Sequence, residues 1–334
     1  MRKLIQLVMV CCMIAMFFTG CRGGLHFEFG KNVYTEDDMS HFYSEKVAME
    51  ELKELDIESV YADFEIIASD GYYIEYSYYY INNEPFLSIE DGKLSFSDLD
   101  MNTGNFSINM KKENYLRIYI PTKTDFESIK VTKSSGDCYI GGFMSKKASI
   151  KNNYGDTIIS NCEAEKLDIE ISSGKLEIGK CNVDQLEIEN SYGQVLINDL
   201  NVDKEPTNQL SVLMSSGQLE FERINCEMAT VENSYGQVEF SHSTIAKLQG
   251  KFSSGSVSAK ECKMDQIKIE NSYGNVDLGL IGYKDDYIFE IENSYGSSRI
   301  GNDTYQGSIM IDRGGERKIN INVASGNIKI TFSN

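Results

Sequence analysis

The chain is short of the residues that most often carry chemistry. It has three histidines in 334 residues, and two of them, His26 and His41, lie near the N-terminus. Five of its eight cysteines follow Cys21, and no CxxC occurs among them. An odd number of thiols in an exported chain excludes a complete intramolecular disulfide framework, and the spacings offer no metal or redox motif. No cofactor and no metal site are expected. After residue 20 no stretch is long and apolar enough to cross a bilayer as a helix. Positive charge is also scarce: 32 Lys and Arg face 51 Asp and Glu, for a formal net charge of −19. Such a surface repels nucleic acid and anionic lipid headgroups, which argues against direct contact with either.

What is present begins with a leader. Arg2 and Lys3 precede an apolar run from Leu4 to Phe18, and Thr19 and Gly20 lead into Cys21. This is a secretory layout. The Thr-Gly-Cys ending resembles the lipobox of bacterial lipoproteins, with Phe18 where that motif usually has Leu. The resemblance implies cleavage before Cys21 and lipidation of its sulfur. Residues 1–20 are therefore expected to be a signal peptide and residues 21–51 a tether. Residues 52–125 are expected to hold a first repeat unit plus an insertion, and residues 126–334 the main run of repeats.

The repeat is carried by a glycine. It recurs as Gly136, Gly155, Gly174, Gly193, Gly217, Gly236, Gly255, Gly274, Gly296 and Gly326, in steps of 19, 19, 19, 24, 19, 19, 19, 22 and 30. A fixed period near 20 residues is the signature of stacked repeats. Seven and five places before each glycine the residues are mostly apolar, as in Leu186 and Ile188. The same holds two and four places after it, as in Val195 and Ile197. A spacing of two within each pair predicts a strand with one buried face. Across the glycine the parity breaks, which predicts a bend there with backbone angles that glycine supplies. Seven places after the glycine lies another small or apolar slot, including Cys162, Cys181, Ile224 and Cys262. These cysteines read as buried wedges at a corner.

The unit also occurs earlier. ELDIESVYADFEI (54–66) aligns with QLEIENSYGQVLI (185–197), with Ala62 in the glycine slot. An insertion over about residues 68–125 follows, rich in alternating runs and holding a hairpin signal at Asp91-Gly92. A second hairpin is expected in IMIDRGGERKININ (309–322). Such pieces suit the exposed ends of a stack. The expected fold is all-β: a parallel β-solenoid, β-helix-like, of about ten 19-residue repeats, with the strand-rich N-terminal insertion as a cap.

A second rhythm overlies the first. The residue before the glycine alternates between Ser and Tyr through Ser135, Tyr154, Ser173, Tyr192, Ser216, Tyr235, Ser254 and Tyr273, and then breaks step with Tyr295 and Ser325. Three places before the glycine, Asn152, Asn190, Asn233 and Asn271 alternate with Ile171, Met214 and Phe252. A 19-residue coil interleaves the two types and lets Glu232, Lys251 and Glu270 form a favourable charge ladder. A 38-residue coil stacks Asn on Asn but also stacks glutamates. The 19-residue coil is favoured, because the larger one encloses more interior than these side chains fill.

The acylated cysteine, the xLxIxxSSGxLxI units and the strand-rich opening module resemble the bacterial "putative adhesin" family of unknown function whose β-repeat is called the toast-rack domain. The resemblance covers about residues 52–334. It implies a cell-envelope protein, of a kind often linked to envelope-stress systems, and supplies no catalytic residues. The first functional reading is a non-enzymatic, lipid-anchored protein on the outer face of the bacterial cell membrane. Its repeats would serve as a scaffold or binding surface, and its partner would be a cell-envelope protein or glycan. The row Tyr61, Tyr154, Tyr192, Tyr235, Tyr273 and Tyr295 is the candidate binding surface; it is read first as architecture covering the bends, and second as recognition. A β-helical polysaccharide-degrading enzyme is the contrasting reading. It needs a local cluster of carboxylates or a base, whereas the repeat spreads its acids evenly. A membrane-proximal sensor or regulator is a third reading.

The leader yields a first test. Cys21→Ala is expected to abolish partitioning of the protein into the detergent phase. A wild-type protein that stays wholly aqueous and unacylated contradicts the lipobox reading.

Overall fold

The computed structural model describes residues 40–80, 83–99, 114–202 and 204–333. The leader and Cys21 lie outside the described residues. Among those described, 21 strands account for nearly all of the regular structure, and the only helical element is a single 3₁₀ turn at Lys284–Asp286. The strands are β1 (Ser40–Ala48), β2 (Glu54–Ser59), β3 (Asp63–Ser69), β4 (Tyr73–Tyr80), β5 (Phe86–Glu90), β6 (Lys93–Ser97) and β7 (Tyr115–Pro121). They continue with β8 (Thr124–Ser135), β9 (Cys138–Gly141), β10 (Phe143–Tyr154), β11 (Thr157–Ser160), β12 (Glu163–Leu200), β13 (Gln209–Ser241) and β14 (Thr244–Tyr273). The last are β15 (Val276–Ile281), β16 (Tyr287–Tyr295), β17 (Ser297–Ile300), β18 (Asp303–Gln306), β19 (Ile309–Ile311), β20 (Arg317–Ser325) and β21 (Ile328–Ser333).

The repeats pair in parallel and in register at an offset of one unit. Ile129 lies opposite Ala148, and Ala148 opposite Leu167, so neighbours along the stack are 19 residues apart. The two rhythms are thereby interleaved, as the 19-residue coil requires. The longer step of 24 is absorbed between β12 and β13, and pairing resumes without a slip at Gln185↔Gln209. The alternating columns face inward: Leu186, Ile188, Val195 and Ile197 are all buried. Cys138, Cys162, Cys181, Cys226 and Cys262 are buried free thiols. One apolar column slips. Ile281, in the slot seven after Gly274, is exposed, because the register shifts between Ala259 and Cys262 and Leu280 takes the inward place beside Cys262.

The sheet is mixed rather than wholly parallel. Antiparallel pairs occur at the two ends of the stack: β1 with β4, β4 with β7, and β5 with β6 at one end; β19 with β16 and β18 with β17 at the other. These strands cover what would otherwise be open edges. The hairpin at Asp91-Gly92 forms, with φ of 52° and 78° at its two central residues. The hairpin expected over 309–322 does not. Ile309–Ile311 folds back on β16, and Arg317–Ser325 becomes a full repeat strand of its own. Ser40–Ala48, within the expected tether, is a strand paired with β4.

Chain order and spatial order differ at both ends. The unit β2–β3 lies between β6–β7, which follows it in sequence, and β8–β9. Likewise β20–β21 lies between β14–β15 and β16–β17, although it is the last unit of the chain. Each terminal repeat thus enters the stack one layer in from its end.

Because Ile188 is buried in a packed column, Ile188→Ala is expected to cost about 2–4 kcal/mol. Its neighbour Glu187 points outward, where it pairs with Lys166 at 3.2 Å in solvent. Glu187→Ala is expected to cost less than about 1 kcal/mol. Denaturant melts of the two variants compare them directly, and equal losses contradict this assignment of faces.

Candidate functional site

The bend is the feature from which the site is built. At Gly236 the backbone has φ +135°, a value that side-chain-bearing residues rarely adopt. A Cβ there would overlap the carbonyl oxygen of Gly217 on the neighbouring unit, and the same relation links successive glycines from Gly155 to Gly274 and on through Gly326 to Gly296. The glycines therefore form a column in which each carbonyl occupies the space a side chain would need. Ala62 is the exception at its base. Its carbonyl oxygen begins the column, lying 2.8 Å from the place a Cβ on Gly136 would take.

Inside the bend, three places before the glycine, the buried column alternates. Asn152, Asn271 and Asn293 each donate their side-chain N–H to the carbonyl of the neighbouring glycine, Gly136, Gly255 and Gly326 respectively, all at 3.1 Å. The N–H groups of these three amides are thus served by the backbone of the next unit, while their Oδ1 atoms, and both polar side-chain atoms of Asn190 and Asn233 in the same column, have no hydrogen-bond partner among the described residues. Between them stand Ile171, Met214, Phe252 and Val323. Phe252 reaches over Gly250, where a Cβ would meet its ring, so Gly250 in an otherwise apolar slot makes room for it. Lys133 occupies the same column near the N-terminal end, buried, and donates to the carbonyls of Ala62 and Asp137. Burial lowers its pKa.

Outside the bend lie the tyrosines. Tyr154 sits between Ser135 and Ser173, Tyr192 beside Ser216, and Tyr235 beside Ser254. Ser325 then lies between Tyr273 and Tyr295. The register Ser59↔Lys133 carries Tyr61 to the side of Ser135. The alternation that breaks in the sequence at Tyr273 and Tyr295 is therefore continuous in space, because the last repeat of the chain inserts between them. Consecutive rings are two rungs apart, about 9.5 Å, and the row is about 48 Å long. All six rings are exposed, from 50% at Tyr61 to 78% at Tyr295. That exposure leaves little burial for a purely architectural cover.

The row is edged by two further columns. Serines precede the tyrosines, as at Ser191, Ser234 and Ser272. On the other side of the bend stand Gln194, Gln218, Gln237, Ser256, Asn275 and Asn327. Several side chains in this second column accept the backbone N–H of the next rung. Asp63 holds Asp137, Asp137 holds Asp156, Asp156 holds Lys175, and Asn275 holds Asn327, all at 2.8–2.9 Å. From the rung of Tyr192 to that of Tyr295 no residue of the three columns is charged. Charge resumes at the flanks, with Glu232 and Lys251 paired at 3.3 Å on one side and Glu220, Glu239 and Asp277 on the other. A depression of about 460 Å³ runs along this edge, lined by Glu232, Ser234, Lys251, Ser253, Glu270 and Ser272 among others.

Two other polar clusters belong to the N-terminal end. Asp98 accepts hydrogen bonds from the Val60 N–H at 2.6 Å and from Ser59 Oγ at 3.0 Å, with the buried Tyr78 hydroxyl 3.4 Å from Ser59 Oγ. This closed cluster clasps β6 to the end of β2. On the outer surface, Tyr119 and Tyr115 donate to Glu75 at 2.6 and 3.0 Å, and Arg117 pairs with Glu65 at 2.9 Å. The buried thiols are poor nucleophiles: burial pushes Cys138 and Cys226 up to about 12.

Gly236→Ala is expected to destabilise the fold by at least about 3 kcal/mol, since the added carbon meets backbone that cannot yield. Tyr235→Ser, which writes the neighbouring unit's residue into the slot, is expected to change stability by less than about 1 kcal/mol. Thermal melts of the pair test this, and a benign Gly236→Ala contradicts the column.

Solved structures similar to this chain include a "putative adhesin" from Bacteroides fragilis, 14% identical over 87% of this chain and 97% of that one, with a TM-score of 0.36. Another, from Parabacteroides merdae, is 12% identical over 89% and 97%, with a TM-score of 0.37. A "putative cell adhesion protein" from Clostridium sporogenes is 13% identical over 88% and 100%, with a TM-score of 0.21. No curated protein matches the chain. The profile of the Toastrack DUF4097 family matches residues 52–205 and 199–331, most of the chain. By that match, the chain belongs to the Toastrack DUF4097 family.

Proposed function

We propose that the protein is a non-enzymatic, adhesin-like protein of the bacterial cell envelope, exported and held at the membrane by a lipid on Cys21. On this reading its repeats form a parallel β-solenoid, with antiparallel strands as end caps, that works as a rigid rod. The exposed tyrosine row is its recognition surface, and a cell-envelope protein or glycan is its partner. The single observation that carries the reading is the exposure of all six rings in one regular row. Tyr combines apolar area with a hydroxyl and loses little side-chain entropy on binding, which suits recognition. The glycine column beneath fixes the backbone from which the rings project, and a pre-organised scaffold favours affinity.

The distribution of acids supports a binding role over hydrolysis. Several carboxylates along the repeats stand in ion pairs with neighbouring lysines, as in Lys151–Glu170 at 2.7 Å and Lys329–Asp277 at 2.9 Å. Ligand recognition of this kind needs no titrating pair.

Cells displaying the protein with Tyr154, Tyr192, Tyr235 and Tyr273 all changed to Ser are expected to attach to surfaces or neighbouring cells roughly tenfold less than wild type. The purified variant is expected to melt within a few degrees of wild type. Undiminished attachment contradicts the recognition role and returns the row to architecture.

A further inference from the structure

We propose that the tyrosine edge binds an uncharged, extended polysaccharide lying along the stack, with one ring meeting every second sugar. This inference rests on the recognition reading above and names its ligand class.

Three features of the edge point to it. The first is charge. The protein carries a net charge of −19, yet the three columns of the edge are free of charged side chains from the rung of Tyr192 to that of Tyr295. Such a lane on so acidic a surface offers nothing to a polyanion or a polycation. It offers hydroxyls, amides and aromatic faces, the groups that match the hydroxyls and apolar ring faces of a neutral sugar.

The second is period. The rings recur about every 9.5 Å along the stack. A bound β-strand repeats its side chains on one face roughly every 6.7 Å, and a helix turns roughly every 5.4 Å, so neither keeps step with the row. In an extended β-1,4-linked glycan each sugar is turned over relative to the last. Equivalent faces therefore recur every second sugar, at a spacing close to that of the row. The rings are too far apart to stack on one another, and the positions between them hold serine, so each ring is free to meet a sugar.

The third is the way the regularity is obtained. Chain order alone would place Tyr273 and Tyr295 on adjacent rungs. The insertion of the Ser325 unit between them keeps the two-rung spacing to the end of the row. The depression that takes in Ser234, Ser253 and Ser272, together with the charged Glu232, Lys251 and Glu270, follows the same direction beside the row.

The test uses the purified full-length chain in detergent micelles and calorimetric titration. The ligands are soluble β-1,4-linked oligomers of glucose and of N-acetylglucosamine with two, four, six and eight sugars, and polygalacturonate as the anionic control. Affinity is expected to rise with each added pair of sugars. Changing Tyr192, Tyr235 and Tyr273 to Ser is expected to lower it at least about tenfold for the longest oligomers without altering the melt. Polygalacturonate is expected not to bind. Binding independent of length, equal binding of the polyanion, or no binding of any neutral oligomer overturns the proposal. So does a wild-type dimer, seen by sedimentation, that the same substitutions dissociate. If neutral oligomers fail while the tyrosine variants still lose attachment to cells, this inference falls and the recognition reading stands. If attachment is also unchanged, both fall.

Discussion

The structure depends on one steric constraint. At each bend a glycine carbonyl occupies the place of the next unit's Cβ. Units can approach this closely only if the slot holds glycine, and this close approach lets the strands on both sides of the bend pair in register. Gly217, Gly236 and Gly255 therefore do more than permit an unusual φ. They set the distance between layers at the one point where the strands change face. Ala62 stands at the base of the column, and its carbonyl oxygen is the one that a Cβ on Gly136 would meet at 2.8 Å.

The constraint organises the polar interior as well. Where an asparagine stands in the next layer it can donate to the glycine carbonyl, as Asn152, Asn271 and Asn293 do. An amide in every layer would put buried polar groups above one another. Interleaving them with Ile171, Met214 and Phe252 alternates a hydrogen-bonding layer with an apolar one. Lys133 reaches the Ala62 carbonyl in the same manner, and its burial is offset by the two carbonyls it meets. The alternation of Tyr and Ser outside the bend follows the alternation of Asn and apolar residues inside it, because both are written in the same five-residue phrase.

Both ends of the stack solve one problem. Parallel repeats leave open edges, and here antiparallel strands close them: β4, β1 and β5 on one side, β18 and β19 on the other. In each case the terminal repeat of the chain is threaded one layer inward, so a returning segment covers it. The layers outside Tyr61 and Ser325 are supplied by β6–β7 and β16–β17. The first and last repeat units, β2–β3 and β20–β21, therefore have paired neighbours on both sides.

The sequence by itself determined the period, the inward columns, the bend at each glycine, the hairpin at Asp91-Gly92 and the burial of the asparagines. All of these follow from spacing within one unit, where a period of two and a conformational exception are local properties. The candidate tyrosines were legible for the same reason. Tertiary structure alone decided which layer lies against which. The 22- and 30-residue steps near the C-terminus carry no instruction about order, and the register of the last repeat is set by its fit between the Tyr273 and Tyr295 layers. A trace of this was in the sequence, since two tyrosine phrases in succession break the alternation. Reading it requires knowing that neighbouring layers must differ, and that follows from the packing of a buried amide against the next unit's backbone.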